Sequence, residues 1–252
     1  MEHVSQILPR VCDAIDRAAV VTDKGSKTQW RTLLVLASSR KNSAFCVAGR
    51  EWSQAGLGPW VRPVSCHGKG ELGYGEIRMD SGQVARVGDV VMIPFGNAVP
   101  DGAQHENQAV LQNRVWKHVG LAGCEMLSAL VESPAPLWSN GWHVQNDRVP
   151  EMEAMRFDYS LCLIRLKRLQ LSFSKNKYGQ IKARATFVHR EEVYCLSVTD
   201  PDIEAMGQAN VNQTLFLDDV LMCVSLAPAF NGYCYKLAAT VITRDRLQRR
   251  LS

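Results

Sequence analysis

From residue 31 onward the chain alternates short apolar runs with polar or glycine-rich breaks. Residues 31–37 (RTLLVLA), 44–52 (AFCVAGREW) and 60–64 (WVRPV) are too short for ordinary helices and read as strands. The polar stretch 38–43 (SSRKNS) predicts a turn between the first two. A glycine-rich excursion at 68–75 is followed by a fourth run, 87–95 (VGDVVMIPF), and a fifth within 110–119. Residues 124–130 predict a short helix stopped by Pro134. The stretch 133–150, with Pro134, Pro136, Gly141 and Pro150 beside Trp138 and Trp142, reads as a linker. Ahead of all this, Val4, Ile7, Leu8, Val11, Ile15 and Ala18 recur at helical spacing, weakened by Pro9.

The second half repeats the theme. Residues 160–173 predict a long strand, 174–179 (SKNKYG) a hairpin turn, 181–189 its return and 192–198 a third strand. Asp200-Pro201-Asp202-Ile203-Glu204 reads as a capped helix start with acids in the first turn. Residues 216–226 and 234–242 then predict a closing hairpin. Five strands in about 85 residues, with a helix between the third and fourth, is the layout of an OB barrel. In the first half the break is the glycine-rich excursion, and the expected helix follows the fifth strand instead. The predicted architecture is mainly β: two tandem OB-like five-stranded barrels with short helices and an N-terminal helical extension. Its expected parts are an extension at 1–28, a first barrel at 29–132, a linker at 133–155, a second barrel at 156–243 and a basic tail at 244–252.

Composition narrows the class without naming a function. The chain has 252 residues, 46% hydrophobic and 21% charged, which excludes disordered, collagenous and low-complexity readings. Apolar runs fall far short of the ~18 residues that span a bilayer. Glu2, Asp13 and Asp16 argue against a secretory signal. The eight cysteines lie at least eleven residues apart, so no zinc-knuckle spacing exists, and five sit inside strand-like runs as core thiols. A cytoplasmic protein with no membrane association is expected.

Charge does change the picture. Residues 156–190 hold nine basic side chains against one acid, Asp158. Arg244, Arg246, Arg249 and Arg250 close the chain against Asp245. Such patches attract polyanions, although a solvated surface produces the same composition.

The strings TLLVLASSRKNSAFCVAGREW, GPWVRPVS, GDVVMIPF and QHENQAV, followed by KARATFVH, YCLSVTDP and LFLDDVLMCVSL, resemble the prokaryotic dual OB-fold domain family over about residues 30–243. The resemblance implies two tandem OB folds and a nucleic-acid role, with an association with bacterial defence against foreign genomes. It supplies no catalytic residues, and residues 1–28 lie outside it.

OB barrels hold single strands with a basic groove and stacking aromatics on strands two and three and the adjacent loops. In the second half, Lys175, Lys177 and Tyr178 fall on the first hairpin turn. Lys182 and Arg184 alternate with Ile181, Ala183, Ala185 and Phe187 and so occupy one face. Arg190 follows at the next turn. In the first half, Arg40 and Lys41 occupy the equivalent turn, and Arg62 follows on the third strand. These nine residues are the expected nucleic-acid contacts, with Tyr178 as the stacking candidate and the arginine-rich tail as an added phosphate grip. The expected partner is single-stranded DNA or RNA.

No phosphate-binding loop, nucleophile elbow or HExxH helix is present, and no cofactor is expected. Glu71, Glu76 and Asp80 near His67 form a loose acidic group, but in no nuclease spacing. The expected protein binds nucleic acid without catalysis of its own. The alternative is a protein-interaction scaffold that docks a partner enzyme, such as a component of a defence system.

Overall fold

In the computed structural model, the described residues are 29–251, apart from 42–43, 54–55 and 68–69; the side chains of Lys41 and Leu251 are also outside the description. The expected N-terminal extension therefore lies outside the described residues. Two compact units are present. Of the described residues, the first comprises those within 29–99, 106–129 and 250–251, and the second those within 100–105 and 130–249.

The first unit is built from β1 (Gln29–Lys41), β2 (Ala44–Ser53), β3 (Gly56–Val64), β4 (Asp89–Ala98), β5 (Asn107–Val110) and β6 (Lys117–Leu121). The strands pair in the order β1-β2-β3-β5-β4, and β1 pairs with β4, so five strands close into a barrel with β6 added on β4. The single run expected at 110–119 is in fact two strands, β5 and β6. Two short helices, α1 (Tyr74–Ile77) and α2 (Cys124–Ser128), complete it. A helical turn thus occupies the break between the third and fourth strands here as well. Leu33, Val35, Val47, Val61, Val91, Ile93 and Phe95 point into one core with Trp116. Alternation along each strand sends them there together. Gly49 is required where β2 crosses β1, because a Cβ would meet the Leu34 carbonyl oxygen at 2.0 Å.

Residues 38–41 of the expected turn are strand, and 42–43 lie outside the described residues. Ser38, Ser39 and Arg40 continue β1 and pair with Val47, Cys46 and Phe45, after a bulge between Val35 and Ala37. Backbone pairing with a long β2 overrides the turn preference of the two serines, which are buried in the sheet.

The second unit contains β7 (Arg148–Pro150), β8 (Leu161–Lys175), β9 (Ile181–His189), β10 (Glu192–Val198), β11 (Thr214–Leu226) and β12 (Tyr233–Ile242). The order β10-β9-β8-β11-β12 closes through a parallel β10–β12 pair, and β7 adds to β12. With β8 counted as first strand, this is the same 1-2-3-5-4 ring as in the first unit. Helices α3 (Glu151–Ala154), α4 (Pro201–Ala209) and α5 (Arg244–Leu251) accompany it. Asp200 caps α4 by accepting from the Asp202 amide at 3.0 Å.

The stretch read as a linker is part of this unit's core. Leu137, Trp138, Val149 and Ala154 pack with Leu166, Leu169, Phe187, Tyr194 and Val220. Buried Tyr194 fixes the segment in place: its hydroxyl accepts from the Leu137 amide at 3.1 Å and from Asn140 Nδ2 at 2.9 Å. Trp138 Nε1 donates to the Tyr159 carbonyl at 2.8 Å. None of the described cysteines forms a disulfide; Cys162, Cys223 and Cys234 are buried. Among the described residues, no helix is long and apolar enough to cross a membrane.

Candidate nucleic-acid interface

The outward face of the second barrel is set by register. β9 buries Ala183, Ala185 and Phe187, and turns Lys182, Arg184, Thr186 and Val188 away from the core. On β8 the buried parity shifts between Leu166 and Leu169. That shift leaves Lys167 and Arg168 both exposed, and it faces β11 at Asp219, whose φ is +50°. Across the sheet Phe216 stands opposite Gln170, and Gln170 opposite Thr186. One step along, Asp218 pairs with Arg168.

A cavity of about 580 Å³ opens on this face. Four cations line it: Arg165, Lys167, Arg168 and Arg190. Phe216, Val188 and Val193 supply apolar wall, and Gln170, Thr186 and His189 supply polar groups. Phe216 is 52% exposed, an unusual state for a phenylalanine on a sheet. The Arg168 guanidinium lies over its ring, 4.6 Å from the centroid. Arg165 forms a two-pronged pair with Asp219 at 2.7 and 2.9 Å, while Arg168 reaches Asp218 only at 3.7 Å. Lys167 and Arg190 make no ion pair among the described residues, so the cavity keeps a positive surplus. His189 donates from Nε2 to the Pro134 carbonyl at 2.7 Å. Burial holds its pKa below the usual imidazole value; the bond to Pro134 opposes that shift, and the charge of Arg190 adds to it.

Of the residues expected from sequence, only Arg190 lines this cavity. It sits on the two-residue turn between β9 and β10, where both Arg190 and Glu191 have positive φ, the twist a tight hairpin requires. Lys175, Lys177, Tyr178 and Lys182 cluster at the other end of β9, about 26 Å away at the rise of a strand. There the Asn176 side chain accepts from the Tyr178 and Gln180 amides and organises the turn. Tyr178 is 74% exposed, with Lys177 Nζ 5.0 Å from its ring centroid.

Two expected contacts are spent on structure. Arg184 donates to Ser197 Oγ at 2.7 Å, and to Gln145 Oε1 and the Cys195 carbonyl at 2.5 Å each. It staples the 145–147 segment to the barrel. Arg62 is buried and bonds Glu106 Oε1 at 2.9 and 3.0 Å. Arg40 is exposed on β1, over the Phe45 ring at 5.3 Å, not on a turn. Lys41 closes β1 opposite Ala44, and its side chain lies outside the described residues.

The arginine-rich tail is the helix α5, and Arg246 within it is committed to Asp200 at 2.5 Å and to Asp202 at 2.8 Å. The carboxylates weighed for metal chemistry are also engaged: Glu76 Oε2 accepts from the Gly73 amide at 2.7 Å, and Asp80 from the His118 amide at 3.1 Å. Sequence reading missed Arg165, Lys167, Arg168 and Phe216. The nine-to-one basic excess over 156–190 was the available signal for the first three; nothing in the local sequence marked Phe216.

No curated protein matches the chain. Solved structures are similar to it over most of its length. One, described as "Molecular basis for abrogation of activation of pro-inflammatory cytokines", is 7% identical, covers 90% of this chain and 100% of its own, and has a TM-score of 0.35. A second, "Structural mimicry for functional antagonism", is 8% identical with coverages of 89% and 98% and a TM-score of 0.32. A third, "Crystal structure of the tetrameric p202 HIN2", is 8% identical with coverages of 86% and 96% and a TM-score of 0.27. The dual OB-containing domain profile matches residues 31–241, and with two barrels of the same ring order in that span, the chain belongs to the dual OB-containing domain family.

Proposed function

We propose that the protein binds single-stranded nucleic acid along the outward face of its second barrel, without chemistry of its own. The observation that carries this reading is the cavity in which exposed Phe216 stands among Arg165, Lys167, Arg168 and Arg190. A purely ionic surface has no use for an exposed aromatic. A strand of nucleic acid needs both, because its phosphates seek cations and its bases seek a flat apolar surface. Lys182 continues the same face, and the hairpin cations Lys175 and Lys177 stand at its end, giving a track of about 26 Å along β9. In a defence setting, such a module would hold foreign nucleic acid for a separate enzyme.

The test is fluorescence anisotropy with labelled single-stranded DNA, single-stranded RNA and duplex at low and moderate salt. Single strands are expected to bind, with affinity falling steeply as salt rises. Lys167→Ala/Arg190→Ala should flatten the salt slope by about 1.4, two phosphate contacts on a single strand. Phe216→Ala should cost about 1–3 kcal/mol at every salt. Variants that bind like the wild type would remove the cavity from the reading, and absence of binding at low salt would remove the reading itself. In that second case a protein partner is the better assignment, with exposed Trp142 and Val144 as its natural contact.

A further inference from the structure

We infer that the cavity on the second barrel is a base-selective subsite, in which Gln170 and Thr186 read the edge of one unpaired base, adenine above the others. This rests on the nucleic-acid reading above and goes beyond it, since a basic groove with a stacking ring distinguishes no sequence. Gln170 lies between Phe216 on β11 and Thr186 on β9, each its direct cross-strand partner. All three line the same cavity, so an amide and a hydroxyl stand beside the exposed ring on one face of the sheet.

Neither polar side chain makes a hydrogen bond among the described residues, in contrast to Arg184, the next outward position on β9, which has three acceptors. Gln170 and Thr186 therefore keep their donors and acceptors for a ligand. A base entering the cavity can stack on the Phe216 ring or on the Arg168 guanidinium plane, both of which accept any base. Stacking there brings its edge to Gln170. A glutamine amide offers one donor and one acceptor side by side, the complement of the adenine N6 amino group and N7. Val188 and Val193 add exposed apolar wall beside Thr186. Lys167 and Arg190 at the rim take the flanking phosphates.

The experiment measures binding of A, C and T (or U) homo-oligonucleotides roughly a dozen nucleotides long, as DNA and as RNA, at one fixed salt. Wild type is expected to bind the A oligomer about five-fold or more tightly than the others. Gln170→Ala/Thr186→Val should equalise the three while leaving the salt slope unchanged. Gln170→Glu, which keeps the shape and removes the donor, should also abolish the preference. It provides the test if the double variant fails to fold, as judged by its circular dichroism. Equal binding of all oligomers by wild type, preference for another base, or a preference that survives in folded variants would overturn the subsite and leave the binding reading intact. Absence of binding to any oligomer would overturn both.

Discussion

Arg246 on α5 donates through Nη1 to Asp200 Oδ2 at 2.5 Å, and that same carboxylate oxygen accepts the Val241 amide at 2.8 Å. Asp200 is fully buried and also caps α4, so one side chain holds the end of β12, the start of α4 and the first turn of α5. Burial pushes the Asp200 carboxyl up, against the guanidinium and the two amides that favour its charge.

Removing the guanidinium leaves that carboxylate buried and uncompensated. Arg246→Ala is expected to lower stability by about 3–5 kcal/mol in a urea titration. A loss below about 1 kcal/mol would show that α5 is not held by this pair.

Lys236 is almost completely buried, donating to the Ser139 carbonyl at 2.7 Å and Asn140 Oδ1 at 2.9 Å, with the Tyr194 ring beneath it. Burial lowers its pKa from 10.5 to about 8, with Asp147 opposing. Below about pH 8 both folded and unfolded chains carry the proton. Between that value and the unfolded pKa only the unfolded chain does, so this group makes the fold more stable as pH rises through the window. The full gain is roughly 3 kcal/mol. Comparing wild type with Lys236→Met at about pH 7 and about pH 10 isolates it, because other titrations cancel in the difference. Wild type should gain on the variant at the higher pH; a constant difference would mean that Lys236 titrates alike in both states.

Asp219 neutralises Arg165 at the edge of the cavity from an exposed position with φ +50°. Asparagine tolerates that backbone conformation well. Asp219→Asn should preserve the fold, free Arg165 for phosphate, and steepen the single-strand salt slope by about 0.7. Anisotropy titrations across salt measure this. An unchanged slope would place Arg165 outside the contact.

Much of the second barrel was legible because its signals agree. The strands β9 and β10 match the apolar runs 181–189 and 192–198, and Asp200-Pro201 marks the start of α4. Alternation along β9 also identified which side chains face out. Where local preference met tertiary pairing, the reading failed. Ser38 and Ser39 look like turn residues, yet they are strand because β2 supplies backbone partners to β1 as far as Lys41. Prolines 134, 136 and 150 suggest a linker, yet Tyr194 and the barrel core order the segment through contacts more than forty residues away in sequence.

The candidate site divides along the same line. The two-barrel repeat, the outward face of β9 and the local excess of positive charge are visible in the residue order, because strand period and composition are local properties. Which charges remain available depends on contacts between distant parts of the chain. Arg184 and Arg62 look as free as Lys182 in sequence, but acceptors elsewhere in the same chain consume them. Phe216 opens the apolar run 216–226 with nothing to set it apart, and β11 pairing with β8 places it outward beside Gln170. Register sets a side chain's face and neighbours, and register is settled by pairing between strands distant in the chain.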